Sequence, residues 1–155
     1  MEIKNQVAVI TGAASGIGRA VANELAANGA GAIAIVDLTD EVHSAADEVN
    51  KQARREVAVP FQGNVTDEAF RRSVFEHMNK EHGIVTICVP AAGITRDALA
   101  VKVDKETGKS TMYDIDKFRE VVEVNLIAPI YWGLEMVAWI AEDRATHGKR
   151  DRRIR

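Results

Sequence analysis

The chain has 155 residues, 46% of them apolar and 28% charged, with a net charge of −3. That size suits one soluble globular domain with a core of its own, and the acidic balance gives no reason to expect a nucleic acid or a membrane as partner. A lone cysteine, Cys88, excludes an internal disulfide, no unbroken run of about 18 apolar residues occurs, and residues 1–5 are no signal-peptide core, so a cytoplasmic protein is expected.

The first element is an apolar run over 7–10, Val-Ala-Val-Ile, lacking in–out alternation as a strand covered on both faces requires. It leads into Thr11-Gly12-Ala13-Ala14-Ser15-Gly16-Ile17-Gly18, after which Ile17, Val21 and Leu25 share a helical face. A second strand over 32–36 ends at Asp37, and Val42, Ala45, Ala46 and Val49 mark a helix starting near Asp40. A third strand over 57–59 precedes a helix bearing Phe70 and Val74, with Thr66 as its expected N-cap. The fourth strand, 85–89, holds Cys88 as a small buried hydrophobe. Alternating residues around Thr107-Gly108 predict a hairpin over about 100–113. Phe118, Val121, Val122 and Asn125 then repeat at helical spacing. Beyond Arg144 the apolar period is lost, so residues 144–155 read as a basic flexible tail, the alternatives being a docking arm for a partner or for nucleic acid. Alternating strands and helices of this size predict an α/β, Rossmann-type doubly wound parallel sheet over 1–143, with strand order 3-2-1-4 from right-handed crossovers.

A glycine turn between strand and helix lets backbone amides approach a phosphate where no Cβ intrudes, and the helix N-terminus adds unpaired N–H groups. Gly12, Gly16 and Gly18 give that arrangement, with Ser15 and the amide of Ile17 available to a diphosphate. Asp37 lies about twenty residues past the turn, where a carboxylate meets the adenosine ribose and repels a 2′-phosphate, and Leu38 follows it. No Arg or Lys lies inside the glycine turn or directly after Asp37, so NAD is expected over NADP. The competing reading makes Asp37 a cap for the next helix. His43, His77, His82 and His147 show no metal-ligand spacing, and no metal site is expected.

Thr11-Gly-Ala-Ala-Ser-Gly-Ile-Gly18 with an Asp at the second strand end resembles the short-chain dehydrogenase/reductase family. The similarity continues through Gly63-Asn64-Val65-Thr66-Asp67, Ala91-Ala92-Gly93-Ile94-Thr95-Arg96-Asp97 and Val124-Asn125-Leu126, and the Ile-Thr-Arg-Asp stretch is similar to the 3-oxoacyl-[acyl-carrier-protein] reductase branch. The resemblance implies hydride transfer between an alcohol or ketone and the nicotinamide. It puts Asn64, where the family usually has Asp, and Val65 at the adenine, and Ala92 and Gly93 beside the cofactor. Ala91 stands where the family has an asparagine whose amide ties this loop to the sheet. Asn125 matches the asparagine whose backbone carbonyl holds a relay water; Pro129 has no N–H to return to that carbonyl, so a kink exposing it is expected.

The family's Ser and Tyr-x-x-x-Lys, expected after Asn125, have no counterpart here, because Tyr131 is followed by Glu135. Tyr113 and Lys117 have the spacing but precede Asn125, with Ala100 at the Ser position. The expectation is therefore an incomplete domain that binds a dinucleotide without turnover, a small-molecule substrate belonging to a complete enzyme. The alternative is a non-catalytic nucleotide-binding or protein-interaction module. An open edge on the fourth strand and an uncovered helix face around Tyr131, Trp132, Met136 and Trp139 predict self-association. In the family, the helix over 116–143 lies at a subunit interface, which implies a homo-oligomer.

Overall fold

Alternate residues of the first two strands serve two different cores. In the computed structural model, which describes residues 2–146, Ala8 and Ile10 of β1 (Val7–Thr11) and Ile33 and Ile35 of β2 (Ala32–Asp37) point to one layer. That layer is closed by α1 (Gly16–Ala27) and α2 (Glu41–Ala53). Val7 and Val9 with Ala32, Ala34 and Val36 point to the other, where α3 (Glu68–His82) packs. The side-chain period of two therefore makes both faces apolar, as a doubly covered parallel sheet needs.

The sheet is completed by β3 (Ala58–Gln62) and β4 (Val85–Pro90), all pairs parallel, in the order β3-β2-β1-β4. Register places Val9 between Ala34 and Cys88. The third strand starts one residue later than expected and runs to Gln62. Its Pro60 is tolerated because β3 is an edge, where a missing N–H breaks no ladder bond. Cys88 is half-buried on β4, and burial pushes its thiol up to about 11.

Two expected faces differ. On α1 the buried stripe is Gly18, Ala22, Leu25 and Ala26, whereas Ile17 is 79% exposed, because the first turn overhangs the mouth of a cleft. The N-cap of α3 is Asp67, whose carboxylate accepts from Phe70 N–H at 2.9 Å; the Thr66 hydroxyl is turned to Asn64 instead.

The second half of the chain is built differently. Strands β5 (Val101–Val103) and β6 (Ser110–Met112) pair as an antiparallel hairpin with every residue exposed, Gly108 taking φ +67° in the turn. Helix α4 (Ile115–Val122) buries nothing, and Asp114 caps it by accepting from the N–H groups of Asp116 and Lys117. The helix widens into a π turn (Glu123–Ile127), in which the Ala128 N–H reaches back to the Glu123 carbonyl, and continues as α5 (Ala128–Thr146). The expected kink is thus a π turn just before Pro129. Arg144 and its two successors are helical, where the tail was expected to begin; residues 147–155, with His147, lie outside the described residues.

Trp132 corrects the expected uncovered face. It is fully buried between Phe70 and Phe75, with ring centroids 6.4 and 5.7 Å away, and Met136 and Trp139 pack against the same core. Helical spacing turns Ala128, Trp132, Met136 and Trp139 inward together, and it leaves Ile127, Ile130, Tyr131, Leu134 and Val137 outside. Buried Arg71 of α3 locks α5 in place: its Nε donates to Glu135 at 3.2 Å, and its guanidinium lies over the Tyr131 ring. Residues 115–146 also include a window apolar enough, and in a helix long enough, to span a membrane. Counting only unbroken apolar runs misses it, and the match rests on length and composition alone.

Candidate functional site

The C-terminal ends of β1, β2 and β3 and the loop after β4 open onto one cleft of about 640 Å³. It lies where the chain crosses from β1 to neighbours on either side, the usual ligand crevice of such a sheet. The cleft is lined by Gly12, Ser15, Gly16, Ile17 and Gly18 of the turn, by Asp37 and Leu38, by Asn64 and Val65, and by Ala92 and Gly93. One concavity therefore gathers these residues from four separate segments of the sequence.

Each glycine of the turn has its own role. Gly12 has φ +64°, and a Cβ there would stand 2.6 Å from the Ala92 Cα, so the turn and the loop after β4 touch backbone to backbone. Gly18 packs so closely that a Cβ would strike the Gly12 carbonyl. Gly16, at φ +55°, has nothing within 4 Å of such a Cβ and faces open space. Ser15 caps α1 by position without a side-chain hydrogen bond, which leaves the first-turn amides to an incoming anion.

Asp37 does not cap α2, whose N-cap is Asp40. Its Oδ2 accepts from Ala14 N–H at 3.0 Å and its Oδ1 from Leu38 N–H at 2.8 Å, so the carboxylate is fastened to the glycine turn across β1 and β2. Asn64 Oδ1 accepts from the Thr66 N–H at 3.0 Å.

Asn125 falls outside the lining of this cleft. Its side chain instead accepts from the Ile94 N–H and donates to the Ile94 carbonyl, each at 2.8 Å, a two-point clamp on the loop after β4. Thr11 adds to it: its carbonyl accepts from Ala91 N–H and its hydroxyl from Ala92 N–H, both at 3.2 Å. Backbone and Asn125 contacts thus hold a loop in which Ala91 has no side-chain amide to offer.

Sequence reasoning missed the far wall. Arg96 pairs with Glu120 through Nε and Nη2 at 3.1 and 2.9 Å, closing the end of the cleft beside Glu123. No local pattern marks this pair, because loop and helix meet only in the tertiary structure. Tyr113 and Lys117 line a separate hollow beside the hairpin, and the Tyr113 hydroxyl donates to the Arg96 carbonyl. Among the described residues no cluster of three metal-ligating side chains occurs.

A parallel sheet ordered 3-2-1-4, with a glycine turn opening onto the crevice at its strand ends, defines a Rossmann-type α/β protein. The chain belongs to the short-chain dehydrogenase family, whose model matches residues 6–145. The 3-oxoacyl-[acyl-carrier-protein] reductase FabG of Escherichia coli K12 is 33% identical over 126 residues, covering 81% of this chain and 46% of that protein. Its counterpart in Thermotoga maritima is 36% identical over 106 residues, covering 68% and 42%. A crystal structure of a short-chain type dehydrogenase/reductase from Mycobacterium marinum shares the fold, with a TM-score of 0.74 at 24% identity, over 92% of this chain and 53% of that one. The chain spans about half the length of the curated relatives it matches.

Proposed function

We propose that the cleft binds a nicotinamide dinucleotide, NAD in preference to NADP, as the cofactor-binding part of an oxidoreductase. When bound, such a group exchanges hydride with an alcohol or ketone carbon. The amides of Gly12, Gly16, Ile17 and Gly18 with Ser15 would hold the diphosphate, Asp37 and Leu38 the adenosine ribose, Asn64 and Val65 the adenine, and Ala92 and Gly93 the nicotinamide side. Asn125 would offer its backbone carbonyl to a relay water. The relatives' names, which are those of reductases and dehydrogenases, support the reaction class. The exposed Ile127, Ile130 and Leu134 support a homo-oligomer formed through α4 and α5. The lone cysteine fits a cytoplasmic location.

The anchored Asp37 is the observation on which the reading rests. Its carboxylate is held beside open helix-terminal amides, and Arg96, the cation in the cleft lining, is engaged by Glu120. A 2′-phosphate would thus meet a fixed negative charge and no free positive one. Calorimetric titration tests this. NADH should bind in the micromolar range and NADPH more weakly, and Asp37→Asn should narrow the difference while weakening NADH. Failure of both nucleotides to bind overturns the proposal.

A further inference from the structure

Asn64 and Val65 follow the C-terminal end of β3 and form one wall of the cleft. The orientation of the Asn64 amide is decided by its neighbours. The Thr66 N–H donates to it at 3.0 Å, and the Thr66 hydroxyl does so at 2.9 Å. A backbone N–H only donates, so the atom facing it is the amide oxygen, Oδ1. The NH2 is then what Asn64 has left for a ligand.

The Val65 carbonyl is withdrawn by an independent contact. The indole N–H of fully buried Trp132 donates to it at 2.9 Å. That indole cannot swing away, because Phe70 and Phe75 pack against it on α3. Phe70 is itself wedged under the same loop: a Cβ on Gly63 would stand 2.5 Å from its ring. Two acceptors on this wall are thereby committed inside the protein.

Purines differ at position 6 in this respect. An amino group there donates and is read by an acceptor, whereas an oxo group accepts and is read by a donor. We infer that the base end of the cleft reads its purine through donors, and takes a 6-oxopurine dinucleotide at least as well as a 6-aminopurine one. The inference rests on the proposed dinucleotide site and specifies its base preference.

Titrating the 155-residue chain with NADH and with reduced nicotinamide hypoxanthine dinucleotide, each followed by calorimetry, tests it. The hypoxanthine form should bind as tightly as NADH or more tightly. Asn64→Asp keeps an oxygen for the Thr66 N–H and turns a second oxygen outward. It should move the ratio toward adenine by about fivefold, the worth of one net hydrogen bond. Trp132→Phe keeps a ring in the core and leaves the Val65 carbonyl unpaired on the core side, so it should lower stability and leave the ratio where it was. Asn64 is exposed, so its substitution leaves the core intact, and Trp132→Phe controls for effects of stability alone. A wild-type preference for NADH above about threefold, or a ratio that Asn64→Asp leaves unchanged, overturns the inference and leaves the dinucleotide site standing. Binding of neither nucleotide overturns both.

Discussion

Strand β1 and the β5–β6 hairpin both draw on valine and threonine, yet every residue of β1 is buried and every strand residue of the hairpin is exposed. The same contrast separates α2, with a four-residue buried stripe, from α4, with none. Apolar character becomes core only where a second layer lies opposite. In the first half α1 and α2 supply that layer, with α3 on the other face. In the second half a few anchors must do so: Trp132, the Arg71–Glu135 pair and the Asn125 clamp. Between anchors, Ile115, Phe118, Leu126, Ile130 and Leu134 face outward.

The sharpest break of this contrast is Trp132→Ala, which should cost about 3–5 kcal/mol as a large buried side chain is lost. Leu134→Ala, a short step along the helix on the exposed face, should cost under about 1 kcal/mol. Urea unfolding measures both, and equal losses would erase the distinction between anchor and exposed face. Next is Arg71→Ala, at about 2–3 kcal/mol, because Glu135 keeps its charge in a largely buried place. The double change Arg71→Met with Glu135→Leu should recover most of that loss by the same measurement.

Gly12→Ala combines a positive φ with a collision against Ala92, for about 2–3 kcal/mol. Gly16→Ala has the positive φ and free space, so about 1 kcal/mol is expected, with weakened NADH binding as its larger effect. A Gly16 variant less stable than the Gly12 variant would show that packing against the loop after β4 is not what constrains the turn.

Acid should act on the hairpin and the start of α4 before β1. The Thr107 backbone N–H and hydroxyl lower the Asp104 pKa in the hairpin, and the N–H groups of Lys117 and Asp116 lower that of Asp114 at the start of α4. A lowered folded pKa gives stabilisation that is present above the unfolded value and lost as pH falls through the folded one. Carboxyl NMR titration should find both midpoints below the ordinary Asp value of about 3.9, with the amides of the hairpin and α4 losing protection before those of β1. Ordinary midpoints would remove the local effect. The smallest effect on stability belongs to Ile130→Ser with Leu134→Ser. Its expected cost is within about 0.5 kcal/mol per site, yet sedimentation should shift toward smaller species. Unchanged sedimentation would mean that this face is not where copies meet.

Much of the site is legible in the sequence, for a local reason. Gly12, Gly16 and Gly18 sit on one turn, and Asp37 ends an apolar run, so strand period and turn chemistry place them together at the strand ends. The misreadings involve partners distant in sequence or competing neighbours. Ile17 matches a helical stripe but overhangs the cleft, Thr66 is displaced as a cap by Asp67, and Trp132 finds cover under α3.

The alternation of strands and helices, the parallel order 3-2-1-4 and the glycine turn follow from the order of residues along the chain, because backbone period and φ preferences act over a few neighbouring residues. The closed tertiary fold was needed to settle which face of α5 is buried, that Asn125 clamps Ile94, and that Asn64 and Val65 have their acceptors engaged. Most of those outcomes depend on hydrogen bonds and packing between segments far apart in the chain, and such partners are chosen only when the layers close.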